Sequence, residues 1–305
     1  MKVLVATEKP FAGVAVDGIR KVIEDAGYTL ELLEKYTDKQ QLLDAAATAD
    51  AMIVRSDKVD AEILAAAKVL KLVVRAGAGY DNVDLAVAKA RGVVVENTPG
   101  QNSNAVAELV FGMLVMAVRN MYAGTSGSEL KGKTLGIHAF GQVGRNVARI
   151  ANGFGLETSA LDPYCPDDVM KEAGVKPLHS LQELYSQNKF VSVHIPATPE
   201  TKGSIGFDLI SLMPHGGVLV NTARKEVIDE TGLAKALEMR PDLKYVADIR
   251  PDNADELMAR FPDQVFFTPK KMGAQTAEAN INAGIAAARQ TVAFLRDGDA
   301  KYRVN

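Results

Sequence analysis

Short apolar runs alternate with amphipathic stretches along nearly the whole chain. The first third carries KVLVA, LELLE, AMIVR, KLVV and VVVEN, and the remainder carries TLGIHA, ETSALD, FVSVHI, GVLVNT, YVADI and VFFT. Between them lie segments such as AVDGIRKVIEDAG, whose apolar positions recur at helical spacing. Strands that alternate with helices predict right-handed βαβ units and parallel sheets covered on both faces. Two such series predict an α/β protein with two domains.

Two helices are longer than the rest. SNAVAELVFGMLVMAVRN gathers Val106, Leu109, Val110, Met113, Leu114 and Ala117 on one side, with Asn102 or Ser103 available as N-cap. TAEANINAGIAAARQTVAFLRDG does the same with Ile281, Ile285, Ala288, Val292 and Leu295, and closes at Gly298. The tail DAKYRVN is too short to form anything alone, so it is expected to return to the first domain, making the chain cross twice between domains. The small, polar segment YAGTSGSELKGK reads as the entry into the second domain.

Composition narrows the chemistry. The 305 residues are enough for two cores, and 47% hydrophobic with 24% charged residues is ordinary for a globular protein. A formal net charge of −3 provides no general attraction for nucleic acid or anionic membrane, so any anionic ligand needs locally placed cations. Cys165 is the only cysteine, which excludes an internal disulfide and a thiolate metal cluster. No metal is expected. The chain opens on MKVLVAT without a signal-peptide pattern, and cytoplasmic location is the expectation.

One segment has the context of a dinucleotide fingerprint. In KTLGIHAFGQVGRNVARIANGFGLETSALDPY a strand leads into Gly141-Gln142-Val143-Gly144, then a helix, then a strand ending at Asp162, 21 residues after Gly141. Gly141 lets backbone approach a pyrophosphate at the helix N-terminus, where unpaired N–H groups and the dipole favour anions. Gly144 permits close helix–strand packing. Asp162 is placed to accept from ribose hydroxyls, and its charge would repel a 2′-phosphate, so NAD is favoured over NADP. Ala139 stands where the fingerprint has its first glycine, so the turn there is expected to avoid a positive φ.

The strand ends of the same domain are polar. FVSVH ends at His194-Ile195-Pro196, GVLVN at Asn221-Thr222-Ala223-Arg224, KYVAD at Asp248, and VFFT at the pair Lys270-Lys271. His194 reads as structural rather than catalytic. Arg224 and one or two lysines are therefore expected at one sheet edge with the cofactor.

These motifs resemble the D-isomer-specific 2-hydroxyacid dehydrogenases, within them most closely the phosphoglycerate branch. The resemblance is carried by VVRAGAGYDNVDL, GVVVENTPGQNSNAVAELVFG, LKGKTLGIHAFGQVGR, VHIPATPETKGSIG, LVNTARKEVID and TPKKMGAQTAEAN, in family order across essentially the whole chain. It implies two Rossmann-like domains with parallel sheets and an active-site cleft between them. Residues 1–100 with 297–305 would form a discontinuous substrate domain. Residues 101–296 would form an inserted NAD-binding domain that includes both long helices, about which the domains close.

The resemblance also implies roles. Arg224 matches the arginine that grips the substrate carboxylate and polarises the reacting oxygen. Ala76, Gly77, Ala78 and Gly79 match the loop whose amides hold the same carboxylate. Ala139, Gly141, Gln142, Val143, Gly144, Asp162, Ile195, Pro196, Thr222, Ala223, Asp248, Gly273 and Ala274 fall among the cofactor contacts, Asp248 toward the nicotinamide amide. Arg55, beside Ser56, and Arg75 match phosphate-binding arginines. A homodimer is implied too, although the segment before ELKGKT is short for the family.

The sequence departs from the family at the base. Lys270 or Lys271 replaces a histidine, the loop DIRPDNADE offers Asp252 and Asn253 near the expected glutamate, and ARKE replaces ARGG. The first two departures read as one coupled change. A histidine, about 6.5 in model peptides, benefits from a carboxylate that supports its cation. A lysine, about 10.4, must instead be brought down by burial and a neighbouring cation such as Arg224. Anchoring on TP selects Lys270, with a slight preference, and anchoring on MGAQT selects Lys271.

The expected activity is NAD-dependent interconversion of D-3-phosphoglycerate and 3-phosphohydroxypyruvate in serine biosynthesis. With the chain ending at Asn305, feedback through a C-terminal sensing domain is not expected. The alternatives are a hydroxypyruvate/glyoxylate reductase or D-lactate dehydrogenase and, from another class, a cofactor-sensing corepressor.

Overall fold

The computed structural model describes all residues, Met1–Asn305. They form two compact units, Met1–Asn102 with Thr276–Asn305, and Ser103–Gln275.

In the first unit five parallel strands, β1 (Lys2–Thr7), β2 (Thr29–Glu34), β3 (Ala51–Val54), β4 (Leu72–Arg75) and β5 (Val94–Asn97), lie in the order β2-β1-β3-β4-β5. Every residue of β3 is buried, as an apolar run covered on both faces requires. Leu42, Ile63, Leu64 and Ala88, from three short helices, pack on one face. The other face is covered by the helices Gly13–Asp25 and Ala277–Asp297, through Ile19, Ile23, Ala283, Ala287 and Ala288.

That packing corrects the expected boundary. The family resemblance puts the last helix with residues 101–296, but it belongs to the first unit. The reason is a stripe of small residues that lets two helices approach closely. A Cβ on Gly18 would come within 2.8 Å of Ile285, and one on Gly284 within 3.0 Å of Ile19 and Phe11. Its buried face is therefore Ala279, Ala283, Gly284, Ala287, Ala288 and Thr291, while Ile281, Ile285, Val292 and Leu295 are half-buried. Thr276 caps its start, and Gly298, at φ 70°, ends it. The chain end pairs with β5: Val304 N–H donates to Val95 O at 2.9 Å, and Asn305 Nδ2 to Val93 O at 2.8 Å.

In the second unit seven parallel strands, β6 (Thr134–His138), β7 (Glu157–Leu161), β8 (Lys176–Pro177), β9 (Phe190–Val193), β10 (Val218–Asn221), β11 (Lys244–Ala247) and β12 (Val265–Phe267), lie in the order β12-β11-β10-β9-β6-β7-β8. The two-residue β8 is too short to leave a periodic signal. The helix Ser103–Val118 buries Ala107, Val110, Phe111, Met113, Leu114 and Ala117, with Val106 and Leu109 half-buried.

Both sheets are doubly wound. Strand order reverses at β1, between β2 and β3, in the first unit, and at β6, between β7 and β9, in the second. Open parallel sheets bind ligands outside the carboxyl ends of strands at such points. No helix is long and apolar enough to cross a membrane.

Candidate active site

At the switch point of the second unit, β6 runs into the glycine-bearing turn. Ala139 has φ 82°, against the expectation that a non-glycine there would avoid the left-handed region. Three contacts hold it. Its N–H donates to Leu161 O at 2.9 Å, and the next N–H, of Phe140, donates to Asp162 Oδ2 at 2.8 Å. Its carbonyl lies over Gly144, where an added Cβ would be 2.3 Å from Ala139 O. Gly144 is thus required by close approach. Gly141 is different: its φ of −73° suits any residue, and an added Cβ would meet nothing within 4 Å. It begins the helix Gln142–Gly153 without a capping side chain.

This open, exposed helix start, with Gln142 exposed and Val143 half-buried, fits a pyrophosphate. Asp162 is half-buried and also accepts from Tyr164 N at 2.9 Å. Its carboxylate has further lone pairs for ribose hydroxyls. The residues therefore fit a dinucleotide.

The adjacent strand β9 is followed by His194, Ile195 and Pro196. His194 N–H donates to His138 O at 2.9 Å, and its Nε2 meets Ser192 Oγ at 2.9 Å. His138 Nδ1 meets Tyr185 Oη at 3.3 Å. Burial pushes His138 down to about 4 and His194 down to about 3, so both rings are neutral around pH 7. Ile195 is buried and Pro196 exposed.

Strand β10 aims Arg224 through a buried asparagine that sequence reasoning passed over. Asn221 Oδ1 accepts from Ala223 N at 2.9 Å, while its Nδ2 donates to Arg224 O at 3.0 Å and Tyr245 Oη at 3.2 Å. Thr222 and Ala223 are buried. The half-buried Arg224 donates Nη1 to Ala223 O at 2.9 Å and has no carboxylate in ion-pair contact. An arginine held by its backbone with an uncommitted guanidinium edge is suited to an anionic substrate group.

Asp248 follows β11 and is 1% exposed. Its Oδ1 accepts from Met272 N at 2.6 Å and Thr268 Oγ1 at 3.0 Å, and its Oδ2 from Gly273 N at 2.7 Å. The residue expected at the nicotinamide amide therefore also braces the turn carrying Lys270 and Lys271. Gly273 is buried and Ala274 half-buried. Both lysines are exposed, against the burial expected for a lysine base.

The loop after Asp248 meets the ARKE segment. Lys225 pairs with Asp252, and Glu230 accepts from Asp252 N at 2.9 Å and Asn253 N at 3.1 Å. Asp252, the candidate for the missing glutamate, is thus engaged by a lysine that replaces a family glycine. The second and third departures are linked by this ion pair.

In the first unit, Arg55 follows β3 at the switch point and Arg75 ends β4 beside it, with Val54 in register with Arg75. Gly77, at φ 147°, lies against the Arg75 guanidinium; an added Cβ would be 1.5 Å from Nη1. Arg75 therefore sits on the Ala76–Gly79 loop. That loop is anchored by Ala76 N to Val54 O at 2.8 Å and Asn97 Nδ2 to Ala78 O at 2.7 Å. Arg55 is more engaged than a free anion-binding arginine: Nη1 donates to Lys9 O and Pro10 O at 3.0 and 3.1 Å, and Nη2 to Asn280 Oδ1 at 2.5 Å. It also lies over the Phe11 ring, 5.1 Å from its centroid. Ser56 beside it is exposed.

Residues 112–269 match the family model described as D-isomer specific 2-hydroxyacid dehydrogenase, NAD binding domain. The chain is 35% identical over 302 residues to a D-3-phosphoglycerate dehydrogenase of Methanocaldococcus jannaschii, covering 93% of this chain and 57% of that protein. It is 35% identical over 277 residues to a hydroxypyruvate reductase of Thermotoga maritima, covering 84% of this chain and 88% of that one. The solved structure of NAD+-bound 3-phosphoglycerate dehydrogenase from Entamoeba histolytica matches at TM-score 0.89 and 44% identity, over 100% of this chain and 98% of that one. The chain spans about half the length of the curated phosphoglycerate dehydrogenases that it matches.

Proposed function

The chain belongs to the D-isomer specific 2-hydroxyacid dehydrogenase family, and from that premise we propose that it is a D-3-phosphoglycerate dehydrogenase. It is an oxidoreductase of the NAD-dependent kind. The reaction we assign is interconversion of D-3-phosphoglycerate and 3-phosphohydroxypyruvate, the entry to serine biosynthesis. NAD, when bound, supplies the hydride acceptor.

The chain's own residues would do the rest. Gly141, Gln142 and Val143 would hold the pyrophosphate at the helix start, and Asp162 the ribose. Arg224 would hold the substrate carboxylate, and its guanidinium would stabilise negative charge growing on the C2 oxygen. Lys270 or Lys271 would take the hydroxyl proton as hydride leaves C2, and return it in the reverse direction.

The observation that carries the phosphate assignment is the pair Arg55 and Arg75 at the ends of neighbouring strands, one of them lying on the carboxylate loop. The 44% identity to the Entamoeba histolytica enzyme supports the same substrate. A hydroxypyruvate reductase is the second reading. It is favoured by the similarly long Thermotoga maritima relative and by the engagement of three Arg55 donors within the protein.

The test is NADH formation by purified protein with NAD and 3-phosphoglycerate at alkaline pH, against glycerate and D-lactate. Preference for the phosphorylated acid is expected. Turnover of another 2-hydroxy acid with none of 3-phosphoglycerate overturns the substrate assignment.

A further inference from the structure

Asp57 is 4% exposed, yet no lysine or arginine side chain pairs with it. Its partners are three loops at the carboxyl ends of β2, β1 and β3, adjacent strands of the first sheet. Oδ1 accepts from Glu8 N at 2.6 Å, after β1, and from Tyr36 Oη at 2.9 Å, after β2. Oδ2 accepts from Arg55 N at 3.2 Å, after β3. The Tyr36 hydroxyl is correspondingly pushed up by burial and by the hydrogen bond to this carboxylate.

These contacts bear on one guanidinium from both ends. Asp57 holds the main chain from which Arg55 hangs, and Asn82 Nδ2 supports the same segment through Asp57 O at 2.7 Å. Asp57 also holds Glu8, next to the Lys9 and Pro10 carbonyls that receive Arg55 Nη1. With Nη1 turned to those carbonyls and Nη2 to Asn280, the remaining donors of Arg55 have a set direction. A carboxylate suits this hub because it accepts on both oxygens, whereas an amide would turn an N–H toward one donor.

We propose that Asp57 is a positioning residue for substrate selection, aiming Arg55 at the phosphate of the substrate. The proposal rests on the phosphate role assigned to Arg55 above. Asp57 touches no substrate; it acts by removing the freedom of the loop and side chain that do.

The experiment compares Asp57→Asn, Arg55→Ala and the double variant, each assayed with 3-phosphohydroxypyruvate and with hydroxypyruvate. NADH binding by fluorescence reports the integrity of the second unit, and circular dichroism that of the whole chain. D57N is expected to raise KM for the phosphorylated acid at least tenfold, with kcat/KM for hydroxypyruvate within about twofold of the parent. The double variant should lose no more selectivity than R55A alone, because both act through one guanidinium. Additive losses, or equal loss for both substrates, overturn the positioning role. If R55A loses selectivity and D57N keeps it, the phosphate reading stands and the Asp57 proposal falls. If neither loses it, both fall. Should D57N not fold, Tyr36→Phe, which removes one bond to Oδ1, must show a smaller loss of selectivity in the same direction; unchanged selectivity overturns the proposal.

Discussion

Asp248 binds the turn that follows β12: its carboxylate receives the main-chain N–H groups of Met272 and Gly273 at 2.6 and 2.7 Å. A buried acid 24 residues away in the chain thereby sets the path of the segment that carries both candidate bases. Asp248→Asn replaces one acceptor with a donor facing a donor, leaving a buried N–H without a partner at a cost of about 1–3 kcal/mol. A lower melting temperature and a kcat reduced at least tenfold are expected. Faster hydrogen exchange over 269–275 is the direct check, and unchanged exchange would refute the bracing role.

Single replacement of Lys270 and Lys271 by Met separates them. One variant should lose on the order of 10²-fold or more in kcat, the usual scale for a general base, while both bind NADH like the parent. If both stay active, the proton goes elsewhere.

The turn at Ala139 is strained, because a non-glycine residue at φ 82° costs about 1 kcal/mol or more. Ala139→Gly relieves it, less the entropy that glycine adds to the unfolded chain, so a gain of about 0.5 kcal/mol is expected in urea unfolding. Gly144→Ala should go the other way, because its Cβ would meet backbone 2.3 Å away at Ala139 O. Loss of NADH binding together with a lower urea midpoint is the expected outcome.

Two buried groups impose opposite pH slopes. Glu96 is pushed up to about 7 by burial, with the Asp299 charge adding to the effect. The native state therefore holds its proton more tightly than the unfolded chain does. That contribution is complete below pH 4.5 and disappears as pH rises through 7. His138, pushed down to about 4 by burial, is neutral in the native state. Its contribution is complete above pH 6.5 and disappears as pH falls through 4. Each effect is at most about 3 kcal/mol. In thermal unfolding from pH 4 to 9, Glu96→Gln should remove the loss of stability that sets in between pH 4.5 and about 7, leaving the opposing His138 rise between about pH 4 and 6.5 in place. A slope between pH 4.5 and 7 unchanged from the parent would show that Glu96 does not titrate in this range.

Much of the architecture was legible along the chain. Parallel strands buried on both faces leave continuous Val/Ile/Leu runs such as AMIV, and the helices between them leave a second period. Alternation alone therefore implies two α/β units with parallel sheets. The dinucleotide motif was legible because its parts lie within one βαβ segment, from the Gly141 turn to Asp162. Arg224 could be named because carboxyl ends of parallel strands face ligands whatever the details, whereas Arg55 and Arg75 were marked by the family resemblance.

What pattern could not carry is partnership between distant segments. The helix Ala277–Asp297 follows the last cofactor strand, yet belongs with the first unit because Gly18 and Gly284 allow a close helix pair. Ala139 takes a positive φ because Leu161, Asp162 and Gly144 leave its turn no other course. Lys225 finds Asp252, Asp248 finds Met272 and Gly273, and Asp57 gathers Glu8, Tyr36 and Arg55. Periodicity records which face of an element meets the core. Which buried carboxylate meets which N–H depends on strand order and loop path, and those exist only once the chain has folded.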